Sequence, residues 1–145
     1  MEKLWVGWEL RTLNHLIRRY FEVATHKKEI ETITGNNGWI ISYLAKNADR
    51  DIYQKDLEEF FAVNRSTTSK VLRLMEKKGL IERQAVSQDA RLKKIVLTEK
   101  AWKIEELMRE DAEKMNQNLV KGFSAEELKT LHSYIERMKN NISGY

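Results

Sequence analysis

The sequence predicts a mostly α-helical protein with one small β-hairpin, an α+β fold. Near both ends, apolar residues recur every three or four positions over long stretches, the spacing of helices that bury one face. After Gly79 this spacing gives way to two short β-like segments, and the 145 residues include no proline. We therefore expect terminal helices that flank a central module containing the hairpin.

The first predicted helix runs from Leu4 to about Lys28 and presents a large apolar surface. Its apolar positions are Leu4, Trp5, Trp8, Leu13, Ile17, Tyr20, Phe21 and Ala24. Such a helix packs either across its own domain or against a second copy of the chain.

The next helix is expected between two polar breaks. The first break is the turn cluster Thr34-Gly35-Asn36-Asn37-Gly38, in which Asn37 can cap a helix that runs from Gly38 through Leu44. The second break, residues 47–51, ends that helix.

A short helix is predicted from Gln54 to Phe61. It is expected to bury Leu57, Phe60 and Phe61. Just before it, Ile52 and Tyr53 are expected to pair with the later hairpin as a minimal edge strand. Residues 61–64 then form a tight turn into a second helix, and two short helices joined in this way make a helix-turn-helix.

The second helix, between the cap Asn64 and the stop Gly79, has two distinct faces. At about 100° per residue, one stripe faces the core and consists of Thr68, Val71, Leu72 and Met75. The opposite face carries Ser66, Lys70, Arg73 and Lys77. This exposed face can enter a DNA major groove about 12 Å wide.

The hairpin is predicted from Leu80-Ile81 and Val86 on one side and Ile95-Val96-Leu97 on the other. Its polar tip is Ser87-Gln88-Asp89-Ala90-Arg91. A basic helix beside such a tip suggests two adjacent contacts with a polyanion.

Positive charge is concentrated in this central part. Residues 65–97 carry a net charge of +6, whereas residues 1–64 and 98–145 each carry −1. A local basic segment of this kind is expected of a phosphate-contacting surface. The alternative is a solvated helix face without a partner.

Two helices are predicted after the hairpin. The first extends from Thr98 to about Lys121 and ends at Gly122, and the second opens with the capping box Ser124-Ala125-Glu126-Glu127. The last helix has a narrow apolar stripe formed by Leu128, Leu131, Ile135, Met138 and Ile142. Exposed apolar stripes on terminal helices are expected to pack against a partner surface. The simplest prediction is a homodimer, in which a second copy of the chain covers them.

The central segment resembles the winged helix-turn-helix of the MarR (multiple antibiotic resistance regulator) family. Arg65-Ser66-Thr67 opens the helix, the run from Glu76 to Arg83 ends it, and Asp89-x-Arg91-x-Lys93 leads to Leu97-Thr98. The resemblance implies a DNA-binding homodimer built from the first and the last two helices. Two positions depart from the usual pattern: Thr68 replaces a commonly apolar residue, and Ala101 stands where a glycine often occurs.

We expect DNA contacts from the second helix of the helix-turn-helix. The candidates are Arg65, Ser66, Thr67, Lys70 and Arg73. Ser and Thr mostly anchor phosphates, so base recognition would depend on Lys70 and Arg73. The resemblance implies that Arg91 reaches into the minor groove. Asp89 is expected to hold the wing in shape by pairing with Arg83 or Arg91.

The resemblance also implies a small-molecule effector that binds between the dimer helices and the winged module. Candidate lining residues are Trp8, Trp39, Tyr43 and Phe60. The alternative is that these aromatic side chains belong to the core.

Other classes of protein fit the sequence poorly. It has no cysteine, and it has no phosphate-binding loop, nucleophile elbow or metal-binding helix motif, so we expect no enzyme, cofactor or metal site. Zinc binding through His15 or His132 is a weak alternative. Without a signal peptide or an apolar run of about 20 residues, we expect a soluble cytoplasmic protein with no membrane contact.

The overall reading is a sequence-specific transcriptional regulator, a homodimeric repressor of a pseudo-palindromic operator that a small molecule can relieve. The expected division is a dimerisation helix in residues 1–33, a winged helix-turn-helix in 34–98 and dimerisation helices in 99–145. The alternatives are a winged-helix protein–protein adaptor, an architectural DNA binder without sequence preference and, more weakly, a metal-responsive regulator.

Overall fold

The computed structural model describes residues 2–35, 37–86, 89 and 91–144, and these are mostly helical. The helices are α1 (Val6–Glu22), α2 (Lys27–Thr34), α3 (Gly38–Lys46), α4 (Gln54–Phe61), α5 (Arg65–Lys77), α6 (Glu99–Leu119) and α7 (Ala125–Ile142). The strands are β1 (Ile81–Ala85) and β2 (Lys93–Leu97). The predicted fold class, a winged helix-turn-helix between terminal helices, is confirmed.

The prediction of one helix from Leu4 to Lys28 was wrong, because the chain breaks after Glu22 and a separate helix α2 follows. A long-range contact explains the new start. The backbone N–H of His26 donates to Oδ2 of the buried Asp111, 3.1 Å away. A carboxylate at this point favours a helix N-terminus. Lys27 bonds to Glu22 across the break, and this hydrogen bond raises the pKa of the lysine.

The middle helices follow the sequence closely, with three differences. The N-cap Asn37 makes no side-chain capping bond, and Asn36 lies outside the described residues. Leu57 is buried as expected, but Phe60 is 67% exposed, because its ring packs at the surface against Tyr43 and Phe61 rather than in the core. Ile52 forms no strand with the hairpin, and its carbonyl accepts one bond from the Ile95 N–H at 2.7 Å.

The core lies between α3, α4, α5, the hairpin and the first half of α6. Its buried apolar members are Ile40, Ile41, Tyr43, Leu44, Ile52, Leu57, Leu72, Met75, Leu80, Ile81, Ile95, Ala101 and Ile104. The unusual Thr68 is also buried, and its hydroxyl donates to the Asn64 carbonyl at 2.9 Å. Its polar atom is therefore satisfied inside its own helix.

The turn from α5 into β1 is a Schellman-type helix end. Gly79 adopts φ +73°, and the Leu80 N–H donates to the Met75 carbonyl at 3.0 Å. Strands β1 and β2 then pair antiparallel from Ile81 opposite Leu97 to Ala85 opposite Lys93. The loop of the hairpin therefore lies at the end remote from α5.

The chain divides into two compact units, residues 1–111 and 112–145. In the second unit, α6 ends at Leu119, Gly122 adopts φ +86°, and α7 begins. Ser124 and Glu127 form the predicted capping box. None of the helices in the described residues is both long and apolar enough to cross a membrane.

Candidate nucleic-acid interface

The two faces of α5 are separated as the sequence predicts. Thr68, Leu72 and Met75 are buried. Because side chains three and four positions apart share one face, the opposite face must point outward. The side chains left exposed on this helix include Arg65, Ser66, Thr67, Lys70, Arg73 and Lys77. We call these six residues the basic face of α5.

The first turn of α5 is fixed by its cap. The side chain of Asn64 accepts a hydrogen bond from the Thr67 N–H at 2.8 Å. This N–H is therefore engaged, while the Thr67 side chain remains exposed. Arg73 also has an internal contact, because its Nε donates to the Ser69 carbonyl at 3.3 Å. That contact does not use the terminal guanidinium nitrogens, which can form a bidentate contact with guanine.

Helix α4 holds α5 through a residue that the sequence analysis did not single out. Gln54 Nε2 donates to Ser69 Oγ at 2.8 Å, and the Arg65 carbonyl lies 3.5 Å from the same nitrogen. Between the two helices, Ala62 adopts a left-handed conformation with φ 51°. In the sequence, the only sign of this contact was that Gln54 and Ser69 are both polar. Polar residues are common on solvent-exposed helix faces, so this sign is not specific.

Arg91, near the loop of the hairpin, is a strongly exposed cation. The side chain of Arg91 is 97% exposed, while its backbone N–H donates to Asp89 Oδ1 at 3.0 Å. Arg91 Nε lies 3.8 Å from the same oxygen. Asp89 therefore contacts Arg91, which is one of its two expected partners. Ser87, Gln88 and Ala90 of the expected tip lie outside the described residues.

Arg83 has a different partner from the expected Asp89. Its Nε lies 2.5 Å from Oε1 of Glu76, a residue of α5. This ion pair joins β1 directly to the helix that carries the basic face. Arg83, in the middle of β1, therefore ties the hairpin to α5, whereas Asp89 contacts Arg91 near the loop.

Not every cation of the basic segment is available for an external partner. Lys94 Nζ lies 3.6 Å from Asp51 Oδ1, and Lys78 is half-buried with its Nζ close to Gly35. Lys77 and Lys93 are exposed. The net charge of the segment thus overstates the charge that this surface presents.

Three of the four aromatic residues proposed to line an effector pocket lie together. Tyr43 and Phe60 have ring centroids 4.7 Å apart. Phe61 contacts both of these rings and also Trp39, whose centroid is 4.2 Å away. Trp8 is apart from them in α1, 68% exposed, beside a surface hollow lined by residues 2–11. Phe61 is a member of this aromatic cluster that the sequence analysis assigned only to the core.

The histidines do not form a metal centre in the described part of the chain. His15 and His132 are exposed, and no group of three or more potential ligands lies close enough to hold an ion. His26 Nε2 lies 3.2 Å from Glu110 Oε2, which joins the start of α2 to α6.

Comparison with known protein families gives a match over the central module. A model described as the MarR family matches residues 32–92, which include α3, α4, α5 and β1. Among relatives, the chain is 31% identical over 91 residues to the uncharacterized HTH-type transcriptional regulator YybA of Bacillus subtilis (strain 168). This match covers 63% of the chain and 61% of the relative's length.

Solved structures resemble the chain over nearly its whole length. The transcription regulator MarR from Oenococcus oeni PSU-1 is 30% identical, with 93% of this chain and 98% of that chain covered and a TM-score of 0.64. A complex of S. aureus MepR with DNA is 26% identical, with 94% and 95% covered and a TM-score of 0.73.

Proposed function

The chain belongs to the MarR family, and we propose from this that it is a transcriptional regulator that binds double-stranded DNA with sequence preference. The observation that carries the proposal is the basic face of α5, in which Ser66, Lys70, Arg73 and Lys77 are exposed on the side of the helix opposite the buried Thr68, Leu72 and Met75. A complex of the related MepR with DNA adds support. In this proposal, the protein regulates transcription by binding DNA and does not act as an enzyme.

The residues of the basic face divide by chemistry into two groups. Ser66, Thr67 and Arg65 surround the start of α5, where hydroxyl groups and a cation can anchor phosphates. Counted from Ser66, Lys70 lies one helical turn and Arg73 two helical turns further along the same face of α5. There they can donate to guanine O6 and N7 in the major groove. Arg91 would add a contact in the adjacent minor groove.

We propose that the protein acts as a homodimer on a pseudo-palindromic operator. In the first unit, α1 has no buried residue, and it exposes Trp8, Leu10, Leu13 and Leu16 together with its N-cap Trp5. In the second unit, α7 has no buried residue either and exposes Leu131, Tyr134, Met138 and Ile142. Apolar surface of this extent is typical of subunit interfaces. Residues 1–33 and 99–145 would then dimerise, and residues 34–98 would bind DNA.

We also propose that the regulator represses transcription in the cytoplasm and that a small molecule relieves the repression. The aromatic cluster of Trp39, Tyr43, Phe60 and Phe61 supports an effector site, because the exposed Phe60 ring and the partly buried Trp39 and Phe61 rings can contact an apolar ligand, with the buried Tyr43 behind them. An effector would act only by binding one arrangement of the two DNA-binding modules better than another.

Selection of duplexes from a random library at about 0.15 M salt tests the proposal most economically, because affinity depends steeply on salt. We expect enrichment of one inverted-repeat sequence, bound at least about 1000-fold more tightly than random DNA. Equal retention of all duplexes would indicate an architectural DNA binder. Retention of none would favour a protein–protein adaptor.

A further inference from the structure

The C-terminal end of α5 is held by the residues that begin α6. Thr98 Oγ1 donates to the Gly79 carbonyl at 2.6 Å, and Lys100 Nζ donates to the Lys78 carbonyl at 2.8 Å. The Thr98 N–H also donates to the Leu80 carbonyl at 3.1 Å. Three hydrogen bonds therefore join Thr98 and Lys100, at the start of α6, to residues 78–80, which directly follow α5.

The bond from Lys100 satisfies the carbonyl of the C-cap Lys78, a group that the helix itself leaves open, and the two bonds from Thr98 hold the turn that follows. The last carbonyls of an α-helix have no intrahelical partner, and a cation near them interacts favourably with the helix dipole. The turn at Gly79 directs the carbonyls of Lys78 and Gly79 toward the segment that precedes α6. Lys100 supplies a cation there, and Thr98 supplies a hydroxyl.

The hydroxyl of Thr98 connects two helices through one atom. It donates a hydrogen bond to the Gly79 carbonyl. It also accepts a hydrogen bond from the Ala101 N–H, in the first turn of α6, at 3.3 Å. Ala101, in this first turn, and Ile104, in the next, are buried in the core. The start of α6 is thus anchored, and it fixes the end of α5 in turn.

We propose that Thr98 and Lys100 are positioning residues for DNA recognition, which set the direction in which α5 presents its basic face. This inference rests on the proposed function. Neither residue belongs to the basic face, so an effect on DNA selectivity would pass through the orientation of α5. Base contacts need a well-defined orientation, whereas phosphate attraction tolerates small rotations. Loss of either residue should therefore reduce selective binding more than general binding.

Four variants of the full-length protein test this. Thr98→Val removes the hydroxyl and keeps the shape, and Thr98→Ser restores it. Lys100→Met keeps the aliphatic chain without the charge, and Lys100→Arg restores the charge. Binding to the selected duplex and to a random duplex is measured over a range of salt concentrations. Lys100 is exposed, so its variants keep the fold even if Thr98→Val does not.

We expect Thr98→Val and Lys100→Met to weaken binding to the selected duplex at least about fivefold, the change that corresponds to one hydrogen bond of about 1 kcal/mol. Binding to the random duplex should change by less than about twofold, and Thr98→Ser and Lys100→Arg should bind like the parent protein. The salt dependence of Lys100→Met should equal that of the parent protein.

Two results would overturn the inference and leave the proposed function intact. One is an equal loss, or no loss, on both duplexes. The other is a salt slope for Lys100→Met that is lower by about 1, because this is the signature of a lost phosphate contact. If the parent protein itself selects no duplex, the proposed function fails and this inference fails with it.

Discussion

At the scale of single residues, the proposed DNA recognition depends on which side chains of α5 are exposed. The core-facing stripe was predictable because Thr68, Val71, Leu72 and Met75 at helical spacing leave only one way to orient the helix, although Val71 at its edge is only partly buried. The partners of individual cations were not predictable. Arg83 pairs with Glu76 and Lys94 with Asp51, and such choices depend on distances that only the folded chain defines.

Replacement of Arg73 by alanine tests base recognition. We expect the preference for the selected duplex over random DNA to fall by roughly 1–3 kcal/mol, the usual worth of a bidentate contact with a base. Fluorescence anisotropy on both duplexes measures this difference. Arg109→Ala removes the same charge from an exposed position on α6 and should leave the preference unchanged. An equal loss on both duplexes would mean that Arg73 contacts only phosphate.

Thr68 provides a test of the core. The Asn64 carbonyl that accepts its hydroxyl also accepts the Thr68 N–H at 3.0 Å, so removal of the hydroxyl leaves no buried group unpaired. We therefore expect Thr68→Val to change the free energy of unfolding by less than about 1 kcal/mol. By contrast, Leu72→Ala should cost about 2–5 kcal/mol. Urea denaturation distinguishes the two, and a large loss for Thr68→Val would show that the hydroxyl has a further role.

At the scale of elements, local signals defined most boundaries. Asn64, Gly79, Gly122 and Ser124 end or begin helices because each solves a local problem of backbone geometry or hydrogen bonding. The break between α1 and α2 was missed, because it depends on Asp111, 85 positions away from its partner His26. The expected edge strand failed for a similar reason, since one hydrogen bond from Ile95 to Ile52 does not make a strand.

The cap of α5 can be tested separately from DNA binding. Asn64→Ala removes the bond to the Thr67 N–H, so we expect a loss of about 1 kcal/mol in the free energy of unfolding. Asn64→Ser should retain most of the stability because serine is also a good N-cap. Thermal or urea unfolding gives both values. If alanine and serine were equally well tolerated, the cap would contribute nothing to this helix.

At the scale of the whole molecule, the exposed apolar side chains of α1 require an explanation that the described chain does not supply internally. Leu13 is 42% exposed and lies beside Asn14, which is also exposed. We expect Leu13→Asp to weaken self-association by about 3 kcal/mol, roughly 100-fold, because a dimer contains the substitution twice. Asn14→Asp makes the same change of charge next to it and should have little effect. Sedimentation velocity measures both variants, and a dimer that survives Leu13→Asp would place the interface elsewhere.

We propose that two copies of the basic face bind one operator together. The spacing of the half-sites tests it directly, since two linked recognition helices must enter successive major grooves about one helical turn apart. Binding of the selected duplex should show two protein chains per duplex, and insertion of five base pairs between the half-sites should remove selective binding because it turns one half-site to the opposite side of the DNA. Unchanged affinity after the insertion, or one chain per duplex, would contradict the account.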